Sequence, residues 1–448
     1  MNDTGAGSDL RIVVRLALPA IANSLLQTAV FLVDRIMLGH HSRAALAAMQ
    51  SAGPVVWTTY SLFGAFTVGT LAVVGRSMGA NQPADATSAA RGSLLIAVAL
   101  GTIVGALGFV GTPWLLRALG EHAGSEAYAP AESYLRVVFP ATPFMLVGAT
   151  TIATLQAAGN TRTPLLIGLA TNGINIVGNW FLVFGHGGAP RLGAVGSATS
   201  SAIAFTLEAL LGLAVLRARS SPVSLRPGLG VVAREGARRV LSVAWGAFSE
   251  RAVFHLGYLV YVTFIVGLGS AAMAANQALI SIESVSFLTA DGCAVAASAL
   301  VAQRLGSNEP ARAHRSAWLA AGMCAALLSV FALVFVFASV PLVRAFRNEA
   351  QIVALGAPAL RLAAVAQIPM AIAVVLAQSM RGAGATREAF VVSLLGAFAV
   401  RIAATYVCVR VLHLGLIGVW LGSTADWLLR VTVYSWRWQV RAWQRTRV

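Results

Sequence analysis

The chain has 448 residues, of which 58% are hydrophobic and 11% charged, with a formal net charge of +16 and a mean hydropathy of +0.77. A soluble domain carries about 25% charged residues, so a water-soluble globule would need a mostly apolar surface, and an all-α integral membrane protein is expected instead. Every basic residue is arginine, placed in short connectors between apolar runs; that is a topology signal rather than a basic face, so no nucleic-acid partner is expected.

A bilayer-spanning helix needs about 20 apolar residues. The sequence offers twelve such runs, at 12–38, 48–74, 92–116, 131–157, 164–185, 193–216, 240–266, 274–301, 316–342, 353–380, 388–410 and 415–436. They are continuously apolar rather than alternating, which argues for helices and against barrel strands. Pro19, Pro140, Pro143 and Pro369 fall inside them, tolerable in a bundle whose neighbours re-satisfy the freed carbonyls. The segment before the first run is polar and lacks a cleavable-signal pattern, so the first run reads as a retained helix.

In the first run Asn23, Gln27 and Asp34 stand at i, i+4 and i+11, one face of a helix. In the fifth, Asn172, Asn175 and Asn179 stand at i, i+3 and i+7. Polar side chains at membrane depth must face protein or water, so both stripes are expected to face the interior of the N-terminal half. A carboxylate among amides, withdrawn from water, is poised to bind a proton or a small cation. Pairing of Asp34 with adjacent Arg35 is disfavoured, since neighbours point about 100° apart. Asn175 and Asn179 have interhelical glue as their bland alternative. His40 and His41 follow the first run and are expected to be solvated.

Glu208 in the sixth run is too isolated to assign. Glu250 and Arg251 interrupt the seventh run, and Glu283 and Asp291 the eighth. These acids are candidates for a substrate or second coupling role; the alternative is charge pairing with Arg251, Arg361 or Arg401. Arg401, Asp426 and Arg430 have the spacing of a structural ion-pair cluster. Trp57, Tyr60, Phe144, Tyr258 and Tyr261 could offer cation–π faces to a substrate, although packing is the commoner use of aromatics. Cys293, Cys324 and Cys408 lie in separate runs without ligand spacing, so neither a disulfide framework nor a metal site is expected.

Connectors after even-numbered runs are rich in arginine, including Arg76, Arg91, Arg304 and Arg381, and those after odd-numbered runs are poorer. Both termini and the long central connector are thus expected in the cytoplasm. The chain also repeats itself. AALAAMQ (44–50), GANQPADA (79–86), AGNTR (158–162) and LGAVG (192–196) are matched in order by AAMAANQ (271–277), GSNEPARA (306–313), AGATR (383–387) and LGLIG (414–418), all at a spacing of about 225 residues. At this spacing Asn23 corresponds to Glu250 and Asp34 to Tyr261. Two six-helix halves entering the membrane in one orientation imply a pseudo-twofold axis along the membrane normal and transport by alternating access. The expected organisation is a cytoplasmic N-terminus at 1–11, an N-terminal lobe at 12–216, an inter-lobe loop at 217–239, a C-terminal lobe at 240–436 and a basic tail at 437–448.

The segment LALPAIANSLLQTAVFLVDRIMLGHH, with GSAAMAANQALISIESVSF (269–287), MRGAGATREA (380–389) and LGLIGVWLGSTADWLLR (414–430), resembles the multidrug and toxic compound extrusion (MATE) transporters, most closely their DinF-like branch. The resemblance covers about residues 11–440. It implies two six-helix lobes exporting organic, often cationic compounds in exchange for protons or sodium ions, with the position of Asp34 central to coupling. A second acidic position of some members falls on Asn179, and the seventh-helix glutamate of sodium-coupled members falls on Glu250. Their tenth-helix acid falls on Met370, a departure from a complete sodium site. It further implies a monomer in the bacterial inner membrane, with a small organic molecule and the bilayer as partners and no cofactor. An enzyme is not supported, since there is no P-loop, metal motif or nucleophile elbow. The alternatives are a flippase for a lipid-linked or amphipathic precursor and, from another class, a channel or receptor.

Overall fold

In the computed structural model, residues 6–122, 124–218, 221, 223–225, 233–346 and 348–446 are described, apart from the side chains of residues 6–8, 27, 28, 30–32, 43, 50, 442 and 445. Residues 219, 220, 222 and 226–232 of the expected inter-lobe loop, with Arg219 and Arg226, and the side chain of Gln27 lie outside the described residues. With no water to bond, the backbone in a membrane must satisfy its own polar groups, and the described chain is helical almost throughout. The helices are α1 (Ala6–His41), α2 (Arg43–Gly64), α3 (Phe66–Gly79), α4 (Pro83–Ala118), α5 (Tyr128–Ala157), α6 (Arg162–Phe184) and α7 (Ala194–Arg217). They continue with α8 (Ala233–Val266), α9 (Ser270–Gly306), α10 (Pro310–Phe337), α11 (Ser339–Phe346), α12 (Ala350–Gly382), α13 (Thr386–Val411) and α14 (Gly415–Val440). Among the described residues nine helical segments are long and apolar enough to cross a membrane.

Helices overrun the apolar windows. Sequence windows register only the bilayer core, whereas a helix continues into water on polar residues. Thus α8 starts at Ala233 and carries Arg234, Arg238 and Arg239, and α12 runs to Gly382 and carries Arg381, which sequence reasoning assigned to connectors. The single run at 48–74 is two helices meeting at Ala65. Ser42 caps α2, its Oγ accepting from the Ala45 amide at 3.1 Å. The short helix α11 was not anticipated. Nor is the expected basic tail free: Trp443 stacks on Trp438 with centroids 4.0 Å apart and donates to the Trp438 carbonyl at 3.0 Å.

The sequence repeat recurs in the backbone. Asn81 and Asn308, matched positions, both take left-handed conformations, φ 55° and 59°. Each precedes a helix opened by proline, Pro83 or Pro310, as suits a residue lacking an amide hydrogen. Gly159 and Gly384 match at φ 82° and 87°, and Gly193 and Gly415 both have φ 56°. The corresponding turn bonds also match, Gln82 N to Ser77 O at 2.9 Å and Glu309 N to Arg304 O at 2.8 Å.

The chain divides into two compact units, Ala22–Ala244 and a second made of Met1–Ile21 with Trp245–Val448. The divisions fall within α1 and α8, not in connectors. In the first unit α5 is central, packing against α2, α3, α4 and α7. Glycines allow the closest of these contacts: a methyl on Gly101 would lie 2.6 Å from Pro143 Cα and one on Gly105 2.6 Å from the Phe139 carbonyl, the small-residue packing that lets membrane helices approach. In the second unit α12, the counterpart of α5, packs against α9, α10 and α14. The start of α1 belongs to this unit. There Asp9, 1% exposed, faces Arg304 at 2.7 Å, Arg312 at 3.2 Å and Arg315 at 3.7 Å.

Candidate functional site

The first unit holds a buried polar cluster built from α1, α5, α6 and α7. The buried face of α6 is Pro164, Ile167, Gly168, Thr171, Asn175, Asn179 and Val183, a helical stripe that turns the asparagines inward. Asp34 is 3% exposed, Asn175 1% and Asn179 0%. Asn179 Nδ2 donates to Asp34 Oδ1. The Asn175 amide lies between Asp34 and Ser201: its nitrogen donates to Asp34 Oδ1 at 3.0 Å while its oxygen accepts from Ser201 N and Oγ at 3.2 Å. This arrangement serves a carboxylate, which only accepts. Tyr134, buried on α5, adds a hydroxyl that bonds Ser201. No arginine or histidine among the described residues forms an ion pair with Asp34.

Asn23 is buried but lies at a different height. Its Oδ1 is where a methyl on Gly168 would approach to 2.7 Å, eleven residues before Asn179. Asn23 and Asp34 thus meet parallel α6 at points about 16 Å apart along the axis. His41, expected in solvent, is half-buried beside Phe184, ring centroids 6.3 Å apart, while His40 is exposed.

The acids of the second unit have a different setting. Glu250, 6% exposed, receives Arg381 Nε on Oε2 at 2.9 Å and Arg381 Nη2 on Oε1 at 2.5 Å, and the Ser393 hydroxyl also donates to Oε1. Its hydrogen-bonded arginine is therefore Arg381, with Arg251 adding an electrostatic attraction. Arg361 donates instead to Ser339 Oγ at 2.9 Å. Asp426, fully buried, lies 2.5 Å from Arg430 Nε and 2.9 Å from Arg401 Nε. Ser393 joins the two groups, since Arg430 Nη1 donates to it at 3.2 Å and the Tyr434 hydroxyl lies 3.2 Å away. Half-buried Asp291 interacts electrostatically with Arg251 and Arg381, and half-buried Glu283 with Arg401. Tyr261 is 5% exposed, donates to the Val419 carbonyl at 3.3 Å and has the Arg401 guanidinium over its ring at 5.6 Å. Four acids and four arginines compose this network.

Sequence reasoning missed Ser201, Tyr134, Ser393, Tyr434 and Arg381. Hydroxyls in apolar runs carry no pattern of their own, and Arg381 looks like a topology arginine. Among the described residues no three His, Cys, Asp or Glu side chains gather as a metal site.

Comparison with known proteins now bears on this arrangement. The MatE family model matches residues 19–181 and again 247–407, one match in each half of the repeat, the first including Asp34, Asn175 and Asn179 and the second Glu250 and Arg381. The chain belongs to the MatE family. It is therefore a transporter and not an enzyme. The chain is 28% identical over 442 residues to a probable multidrug resistance protein NorM of Thermotoga maritima, covering 96% of this chain and 93% of that protein. It is 23% identical to the uncharacterized transporter YisQ of Bacillus subtilis, covering 92% and 90%. Among solved structures, a MOP superfamily transporter from Pyrococcus furiosus superposes with a TM-score of 0.91 at 20% identity, covering 98% of this chain and 97% of that one. A MATE transporter in the straight conformation gives 0.90 at 19% identity, with the same coverage. At such identities these two establish a shared fold.

Proposed function

We propose that this MatE-family chain is a multidrug efflux antiporter that exports organic, cationic or amphipathic compounds in exchange for protons or sodium ions. Asp34 is the coupling carboxylate, with Asn175 and Asn179 as its partners. The observation that carries this reading is Asp34 itself: buried in a membrane helix, met by amides and hydroxyls, and given no compensating cation among the described residues. An ionised acid at membrane depth is costly unless it serves an ion, and the Asn175 and Asn179 amides donate to Asp34 without adding a charge of their own. The probable multidrug resistance proteins among its relatives support the drug class of substrate.

The reading extends to architecture. Twelve spanning helices in two six-helix lobes, related by a pseudo-twofold axis along the membrane normal, carry out alternating access. The matched left-handed residues of the two halves support it. The protein sits in the bacterial inner membrane with both termini in the cytoplasm, as the arginine placement supports. The Asp426 group serves structure, since the carboxylate is already held by Arg401 and Arg430.

The test uses purified protein in vesicles under an imposed proton or sodium gradient, each alone, with ethidium as probe. One gradient should drive ethidium movement against its concentration. Ethidium flux indifferent to both gradients would overturn the antiport reading.

A further inference from the structure

Glu208, on α7, is a second membrane-depth carboxylate of the first unit, and the cluster around Asp34 leaves it unused. It is half-buried and lies flat against Gly148 of α5: a methyl there would stand 3.1 Å from Glu208 Oε1, 3.2 Å from Cγ and 3.3 Å from Cδ. The missing side chain at Gly148 makes the space the glutamate fills. One turn on, Gly212 leaves the same kind of space for Thr151, so α5 and α7 meet through alternating notches.

Among the described residues no charged side chain pairs with Glu208. Its helix packs against α5 and α6. The other charged residues of these three helices are Glu132 and Arg136, paired with each other at 2.8 Å, Arg162 opening α6 and Arg217 closing α7. Arg217 is nine residues away, about 13 Å along the helix. Among titratable groups on other elements, Tyr60 of α2 packs in the apolar cluster around Ala209, Asp34 of α1 and Tyr134 of α5 are part of the Asp34 cluster, and Arg35 follows Asp34 and is exposed. In the second unit, by contrast, each membrane-depth acid has arginine beside it. The first unit has two such acids, Asp34 and Glu208, and neither has one.

Glu208 is also in line with the Asp34 cluster. Ser201, which bonds Asn175 and Tyr134, is seven residues before it. Seven residues are two turns, so the two side chains share a face of α7 about 10 Å apart. A metal ion would need several oxygen ligands. Among the described residues no group of three His, Cys, Asp or Glu side chains gathers here. A proton needs only the carboxylate.

Resting on the antiport reading above, we propose that Glu208 is a second proton-binding carboxylate of the transport cycle, two turns along α7 from the Asp34 cluster.

The test is difference infrared spectroscopy of the purified full-length protein across a pH titration, in the carbonyl-stretch region of protonated carboxyls. Wild type, Glu208→Gln and Asp34→Asn are compared, with wild type also grown on isotope-labelled glutamate. Glu208→Gln should abolish one titrating band and keep the band that Asp34→Asn abolishes; labelled glutamate should move the first band alone. A Glu208→Gln titration identical to wild type would overturn the proposal. Should that variant not fold, an absence of any label-sensitive titrating band in wild type overturns it equally. If Asp34→Asn leaves every band in place, Asp34 does not couple through a proton, while the Glu208 band still decides this proposal by itself.

Discussion

Arg381 grips Glu250 with two hydrogen bonds, 2.9 Å to Oε2 and 2.5 Å to Oε1, and thereby occupies the carboxylate with a cation that belongs to the chain. A coupling acid must exchange its cation in every cycle, and this one has its guanidinium tethered. The pair is 17% and 8% exposed, so removing one partner strands a buried charge, at a cost of about 3–5 kcal/mol. Arg381→Met should therefore lower thermal stability strongly, and Glu250→Gln with Arg381→Met should recover most of the loss. The double variant should also retain gradient-driven ethidium transport. Loss of transport in a stable double variant would restore a coupling role to Glu250.

The clasp at the start of α1 gives a pH-dependent prediction. Burial pushes the Asp9 carboxyl up, but the hydrogen bonds and charges of Arg304 and Arg312 outweigh it and hold it below the usual carboxylate value. A depressed folded value means the stabilisation is complete above the unfolded value and is lost as pH falls through the folded one. Asp9→Asn should then lower the melting temperature by a constant amount from about pH 8 down to about pH 5, with the difference shrinking only below about pH 4. Melting curves of both proteins over that range check it.

The α4–α5 seam predicts a steric cost. Because a methyl on Gly101 meets the backbone of Pro143 at 2.6 Å, no side-chain rotation relieves Gly101→Ala. Overpacking of this kind costs about 1–3 kcal/mol, read as a lowered melting temperature. Gly111→Ala, which meets nothing within 4 Å, is the matched control and should be close to neutral.

Asn179 tests the amide side of the Asp34 cluster. Hydrogen bonds to charged groups contribute about 1.5–3 kcal/mol, so Asn179→Leu should reduce gradient-driven ethidium transport by about ten-fold or more. Asn172→Leu, on the same helix but half-buried and away from Asp34, should change it much less. Initial rates in vesicles compare the two.

The parts of this molecule legible in the sequence are those with a period. The repeat motifs are mirrored in the backbone, where the matched residues Asn81 and Asn308 both turn left-handed, a conformation the sequence reading did not anticipate. The 3.6-residue period placed Asn175 and Asn179 on one face, and the structure puts Asp34 against that face. What escaped is non-periodic. Arg381 pairs with Glu250 across 131 positions, and nothing local separates such an arginine from one that marks topology. Ser201 and Tyr134 escaped because hydroxyls in apolar runs usually bond the preceding turn of their own helix, as Thr150 does with Leu146. The fold-back of Trp443 onto Trp438 escaped because a stacked pair five residues apart across a turn has no period.

The central claim is that the charge state of Asp34 links ion flow to drug export. Its most direct test is ethidium accumulation by wild type and Asp34→Asn in the same vesicles under the driving gradient, with equilibrium ethidium binding measured on both. Asp34→Asn should bind ethidium yet fail to accumulate it against its gradient. Gradient-driven accumulation at the wild-type level in Asp34→Asn would contradict the account.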